Sequence, residues 1–297
     1  MKVKDALYED ARPYLELMRV HKPIGVYLMF WPFAWGLTLA ARRQRLDFPT
    51  YVGLFGAFFA GAFVLRSTVC TLNDIMDREF DRKVERCKTR PIASGRVSVR
   101  AAVVFYLAQM GVVLGLMGLL SRGAKVWAVV GLHHVYPLLK RWTNWPQAWL
   151  GLAMNWGLPV AWAAVNGAHV ELSVFGALLM GSWCWTVLYD TIYACQDIQD
   201  DAKAGVKSTA LLFGVWILPM LRLFAAGLVV SLIATGVLAG FGVAYYAFAV
   251  GGVTLHLVWQ FRSVDLGSLR SCGEIFKANV WVGGLIWAGL FGEYVLS

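Results

Sequence analysis

Charged side chains are scarce: Asp, Glu, Lys and Arg make up 15% of the 297 residues, against about 25% in a soluble domain. Beside a hydrophobic fraction of 59% and a mean hydropathy of +0.59, that scarcity excludes an ordinary water-soluble fold. The five cysteines (Cys70, Cys87, Cys184, Cys195, Cys272) have neither metal-ligand spacing nor an even framework, which excludes a disulfide scaffold and a thiolate metal site. His133 and His134 have no Cys or second-helix His at ligand spacing and read as packing or interfacial residues. No G-x-x-x-x-G-K or G-x-G-x-x-G run occurs, so Gly95 and Gly205 read as turn residues rather than phosphate loops. The first twenty residues carry Asp5, Glu9, Asp10 and Glu16 and no apolar h-region. They predict neither a secretory signal nor an acidic-poor transit peptide, and the expected location is a bacterial inner membrane or the endoplasmic reticulum.

What the chain has is apolar runs of membrane-crossing length. They fall at 24–41, 51–72, 99–120, 126–139, 146–165, 172–194, 222–240, 241–259 and 279–296. The expectation is an all-α polytopic membrane protein of about nine spans, 1–297 being a single domain in the lipid bilayer. With the N-terminus in the cytosol, twenty Lys and Arg fall on the cytosolic side and five on the other, as the positive-inside rule requires. The net charge of +9 follows this topology instead of forming one basic face, so nucleic acid is not an expected partner.

The most charged stretch is NDIMDREFDRKVERCKTRPIASG, residues 73–95. On a helix Asn73, Asp77 and Asp81 recur at i, i+4 and i+8, each about 40° further round, and share a face. Mg²⁺ is usually held by one or two carboxylates plus substrate phosphates. Three oxygen side chains followed by Arg82, Lys83, Arg86, Lys88 and Arg90 offer both halves of a magnesium-diphosphate site. A solvated, salt-bridged loop would use the same residues. The second acidic stretch, YDTIYACQDIQDDAKAGVKSTA, tips the balance: Asp190, Asp197 and Asp201 fall within roughly 40° of one another. Both acidic faces end long apolar runs, both are followed by basic residues, and both are expected to face the cytosol.

Arg66 lies inside the second run, two turns before Asn73. An ionisable residue at that depth needs a partner or a watery cavity, and it could orient an anionic substrate group. Asp190 is placed similarly, two turns before its loop. Tyr136, Lys140 and Arg141 end the fourth run; Arg141 reads as a snorkelling topology anchor, and Tyr136 as either core packing or a ligand contact. An ion-coupled transporter would also carry intramembrane acids and arginines, but near the bilayer midplane on broken helices, whereas these acids cluster at span ends.

Residues 73–95 resemble the N-D-x-x-D-x-x-x-D and R-P-x-x-S-G signature of the UbiA superfamily of membrane prenyltransferases. YDTIYACQDIQDDAKAGVKSTALLFG is similar to its second, D-x-x-x-D motif as found in 4-hydroxybenzoate polyprenyltransferases, and YPLLKR and RPYLELMRVHKPIG extend the likeness from residue 12 to about 215. The resemblance implies two four-helix bundles plus one helix around a central cavity. It implies that Asn73, Asp77, Asp81, Asp197 and Asp201 bind two Mg²⁺ ions bridging an allylic isoprenyl diphosphate, gripped also by Lys83, Lys88, Arg90 and Lys207. The acceptor expected is a phenolic carboxylic acid, 4-hydroxybenzoate or an orsellinate-like acid, met by Arg66, Tyr136 and Lys140. A farnesyl-type, secondary-metabolite enzyme is the alternative to quinone biosynthesis. The catalytic candidates are Asp77, Asp197 and Asp190, the last as a base for the ring proton; no obligate protein partner is implied.

The charge bias predicts that the loops holding Arg86 and Lys203 share the cytosolic side. Single cysteines placed in each loop of a Cys-less variant should label from that side only, and labelling from opposite sides would separate the two motifs.

Overall fold

The computed structural model describes residues 2–128, 135–167 and 172–297, and among them every regular element is helical. In chain order these are α1 (Lys2–Leu17), α2 (Ile24–Gln44), α3 (Phe48–Met76), α4 (Arg78–Asp81), α5 (Val99–Gly118), α6 (Arg122–Ala128), α7 (Tyr136–Trp142) and α8 (Pro146–Asn155). There follow α9 (Gly157–Asn166), α10 (Leu172–Ala194), α11 (Ile198–Ala204), α12 (Thr209–Phe213), α13 (Ile217–Ala239), α14 (Val243–Tyr245), α15 (Val253–Ser263) and α16 (Leu269–Val295). Seven helical stretches among the described residues are long and apolar enough to cross a bilayer, against the nine runs expected. The middle of the expected run 126–139, residues 129–134, falls outside the described residues. The run 241–259 is helical, but Tyr246–Gly252 within it is wound as a π-helix.

Helix ends follow local chemistry. Asp47 caps α3 by accepting from the Thr50 N–H at 3.0 Å, Ser98 caps α5 through the Ala101 N–H at 3.2 Å, and Ser208 caps α12 through the Leu211 N–H at 3.3 Å. Each supplies an acceptor to a first-turn donor that has no helical partner.

The helices differ in what surrounds them. α2 is enclosed by α3, α9 and α16, with Met29, Ala34, Trp35 and Leu37 fully buried. α5 instead exposes Val104, Leu107, Val112 and Leu114, a continuous apolar face that water would penalise and lipid accepts. The protein is therefore an integral membrane protein whose most enclosed helices are α2, α8, α9 and α10 and whose outer helices include α5.

Inside lipid no hydrophobic drive favours helix over acyl chain, so close backbone approach at small residues does the packing. A Cβ on Gly36 would lie 2.2 Å from the Leu158 carbonyl oxygen, and one on Gly283 would lie 2.1 Å from the Trp31 ring. The second approach lets the Trp35 Nε1–H donate to the Gly283 carbonyl at 3.0 Å.

Gly36→Ala should accordingly force α2 from α9 and cost about 1–3 kcal/mol. Gly53→Ala, in α3 with an added carbon that meets nothing within 4 Å, should cost nothing and gain up to about 1 kcal/mol of helix propensity. Thermal unfolding in one detergent compares them, and equal effects would contradict this packing.

Candidate functional site

The two acidic motifs meet at one end of the helices. Asp77, Asp81, Arg90, Tyr136, Asp190, Asp197, Asp201 and Lys207 all line one cavity of about 120 Å³, together with Arg86, Arg141, Gln147 and Tyr193. Several of these groups are delivered by breaks in regular helix. α3 ends at Met76, and Asp77 is its C-cap, with its N–H on the Asn73 carbonyl at 2.8 Å. The Asp81 N–H then bonds the Asp77 carbonyl at 2.8 Å, so the i, i+4 relation survives although the helix does not run through. On the other side α10 tightens into a 3₁₀ turn at Cys195–Asp197 before α11 begins. Gly205, at φ +73°, ends α11 in the left-handed conformation that glycine adopts freely. That reversal brings Lys207 back to the cavity, where its Nζ donates to the Trp142 carbonyl at 3.3 Å.

Other expected residues lie elsewhere. Asn73 is half-buried one turn before Asp77 and does not line the cavity. Lys83 and Lys88 are exposed and outside the lining; Lys88 pairs with Glu85 at 2.7 Å. The side chain of Lys140 lies outside the described residues, as do His133 and His134. Arg141 is more than a snorkelling anchor: it lines the cavity, donates from Nη2 to the Met76 carbonyl at 3.0 Å and covers the Phe80 ring.

Sequence reasoning missed the arginine partners of the acids. Arg86 grips Asp197 with both prongs, Nε to Oδ1 at 2.9 Å and Nη2 to Oδ2, while its Nη1 donates to the Tyr193 hydroxyl at 2.6 Å. Burial, the largest single influence, opposes the Arg86 charge, but the Asp197 hydrogen bonds together with the electrostatics of Tyr193, Cys87 and Asp197 outweigh it, so the guanidinium is held more firmly protonated than a free one. Arg90 Nη1 bonds Asp81 Oδ2 at 2.8 Å and reaches Asp74 Oδ1 at 3.3 Å, and Arg19 Nη2 bonds the same Asp74 oxygen at 2.7 Å. Asp74, adjacent to the predicted Asn73, is buried and so acts as the anchor of two arginines. Lys22, at the corner between α1 and α2, has its pKa lowered by burial and then by Arg19, Arg86 and Arg90, which marks one cationic cluster.

Among the described residues no three acidic, His or Cys side chains form a ready metal cage. The carboxylates ring a cavity instead, an oxygen-only donor set that fits a hard divalent ion completed by phosphate oxygens. Deeper in the protein, Arg66 Nε, Tyr189 Oη and Asn155 Oδ1 are closed to solvent without a hydrogen-bond partner. Asp190, Tyr189 and Tyr193 lie within electrostatic reach of Arg66. A Cβ on Gly25 would lie 2.5 Å from the Arg66 Nε, so the guanidinium rests directly on the α2 backbone where only glycine leaves room.

Burial raises the Asp81 carboxyl to about 6, against the pull of Arg90 and with help from Asp74 and Asp77. In the metal-free protein Asp81 should therefore be charged at pH 7.5 and take up a proton as the pH falls through about 6. Difference infrared spectra should show a protonated-carboxyl band with that midpoint, absent in Asp81→Asn and shifted to higher pH in Arg90→Gln. A midpoint near 4, the ordinary range for Asp, would contradict this placement.

Residues 29–283 match the UbiA prenyltransferase family. The UbiA prenyltransferase claS of Ampulloclitocybe clavipes is 44% identical over 287 residues, which cover 95% of this chain and 91% of that protein. The 4-hydroxybenzoate geranyltransferase 1 of Lithospermum erythrorhizon is 41% identical over 286 residues, covering 96% and 91%. The apo structure of a UbiA homolog from Aeropyrum pernix shares the fold, with a TM-score of 0.74 at 24% identity over 90% of this chain and 97% of that one. With its two acidic motifs closing on one cavity at the ends of membrane helices, the chain belongs to the UbiA prenyltransferase family.

Proposed function

We propose that this protein transfers a prenyl group from an allylic isoprenyl diphosphate to a ring carbon of a phenolic carboxylic acid, 4-hydroxybenzoate or an orsellinate-like acid, and releases diphosphate. The observation that carries the reading is the convergence of Asp77, Asp81, Asp190, Asp197 and Asp201 with Arg86, Arg90 and Lys207 around one cavity. Acids alone would suit a cation and bases alone an anion. Both together suit a metal-bound diphosphate.

Asp77 and Asp81 on one side and Asp197 and Asp201 on the other would hold magnesium, whose charge would neutralise the diphosphate as a leaving group. Arg90 and Lys207 supply further positive charge to the departing oxygens. The allylic C–O bond breaks with its electron pair on the diphosphate. The electron-rich carbon ortho to the phenol then attacks the allylic carbon, and the ring proton passes to the diphosphate or to Asp190. Arg66 is the group for the acceptor carboxylate: its Nε is buried without a partner, and a carboxylate entering a dry cavity requires a cation. The name of the 41%-identical geranyltransferase supports both a hydroxybenzoate acceptor and a short donor.

Asp77→Ala and Asp197→Ala should each lower turnover by roughly 100-fold or more, with the protein still folded in the membrane. Arg66→Ala should raise KM for the phenolic acid far more than for the diphosphate, and Gly25→Ala, which displaces the same guanidinium, should do so more mildly. Purified protein assayed with 4-hydroxybenzoate, orsellinate, homogentisate and a carboxyl-free phenol separates these effects. Near-normal activity in both Asp variants, or efficient prenylation of the carboxyl-free phenol alone, would overturn the reading.

A further inference from the structure

The metal-binding role given above to Asp197 sits beside an arginine that already holds both of its oxygens. Arg86 Nε and Nη2 fork onto the carboxylate, Nη1 is fixed by the Tyr193 hydroxyl at 2.6 Å, and the guanidinium stands 4.9 Å over the Tyr193 ring. Both partners are mostly buried. A guanidinium in that position blocks in-plane approach to the carboxylate and repels a divalent cation at short range.

The contrast with the neighbouring pairs is informative. Asp74 is bonded by Arg19 and by Arg90, so Arg90 can leave it without stranding a buried charge. Among the described residues Asp197 and Arg86 have no such second charged partner, and breaking a buried pair without replacement is costly. A metal ion alone would replace the cation at Asp197 but leave Arg86 buried without an anion. A metal ion arriving with diphosphate replaces both at once: the ion takes Asp197, and the guanidinium finds phosphate oxygens that match its planar fork.

We propose that Arg86 is the resident counter-ion of Asp197 in the metal-free enzyme, and that it exchanges from the carboxylate to the diphosphate when the substrate enters. Arg86 is thus a positioning residue that makes metal and diphosphate bind together. It also ties the loop after α3 to α11, an attachment reinforced by the Glu85 N–H on Asp200 Oδ2 at 3.3 Å. The inference rests on Asp197 being a metal ligand, and its test separates the two claims.

Purified protein in lipid nanodiscs is titrated with Mn²⁺ as the spectroscopic probe, with and without inorganic diphosphate, and bound metal is read by electron paramagnetic resonance. Wild type should bind Mn²⁺ at least ~5-fold more tightly with diphosphate present, the scale of an ordinary coupling between sites. Arg86→Gln should bind Mn²⁺ alone more tightly than wild type by a similar factor and lose most of the coupling. Tyr193→Phe, which keeps both charges and removes one anchor of the guanidinium, should move in the same direction by less, and it guards against a folding defect in the first variant. Unchanged or weaker Mn²⁺ binding in both variants would overturn the exchange. The parent claim is read separately from Asp197→Asn: loss of Mn²⁺ affinity there with no gain in Arg86→Gln would refute the exchange alone, whereas no loss would refute the ligand assignment and the exchange with it.

Discussion

The structure depends on the pairing of buried carboxylates with buried guanidiniums across the end of a membrane bundle. Asp197 with Arg86, Asp81 with Arg90, and Asp74 with both Arg90 and Arg19 hold charge where isolated ions would be too costly to keep. Removing one partner of such a pair leaves an uncompensated charge, a loss of about 3–5 kcal/mol. The same arrangement keeps acids and bases close without neutralising the site. It can open toward a ligand that carries both signs, as a metal-bound diphosphate does.

This charged end needs a rigid platform. Below the loop after α3, a small apolar cluster of Leu17, Ile75, Ile92, Val97 and Ala102 seats it on α1, α3 and α5. Arg96 bonds Glu16 and the Thr89 carbonyl, both at 2.6 Å, closing the loop on itself and on α1. Within the membrane, contacts such as Gly36 on Leu158 and Gly157 on the Phe33 ring bring α2 and α9 into close approach, and α2 packs in turn on α3.

The all-helical membrane class was legible because hydropathy and charge bias are averaged over many residues. Asp77, Asp81, Asp197 and Asp201 were legible from four-residue spacing, and Asp190 from a spacing of two turns, because such spacings survive small breaks in a helix, as at Asp77 and Cys195–Asp197. Arg86 was legible as part of the basic run, but its pairing with Asp197 was not, since the two lie 111 positions apart and no periodicity links them. Asn73 was read from its four-residue spacing; the adjacent Asp74, bonded by Arg19 and Arg90, was not, because spacing does not show which face α1 and the loop will cover. For Lys83 and Lys88 the sequence shows charge without direction; successive tight turns after Asp81 decide that they point to solvent. The fourth apolar run read as one helix, and its middle, with the Lys140 side chain, lies outside the described residues.

The most direct measurement is a single-turnover reaction of purified protein in nanodiscs with Mg²⁺, 4-hydroxybenzoate or orsellinate, and geranyl or farnesyl diphosphate, resolved by mass spectrometry and NMR. A prenyl group carbon-bonded ortho to the phenol hydroxyl, formed in step with one equivalent of diphosphate, is the expected product. Diphosphate release without ring alkylation, or no reaction with any aromatic acid across donor lengths, would contradict aromatic prenyl transfer as the activity of this site.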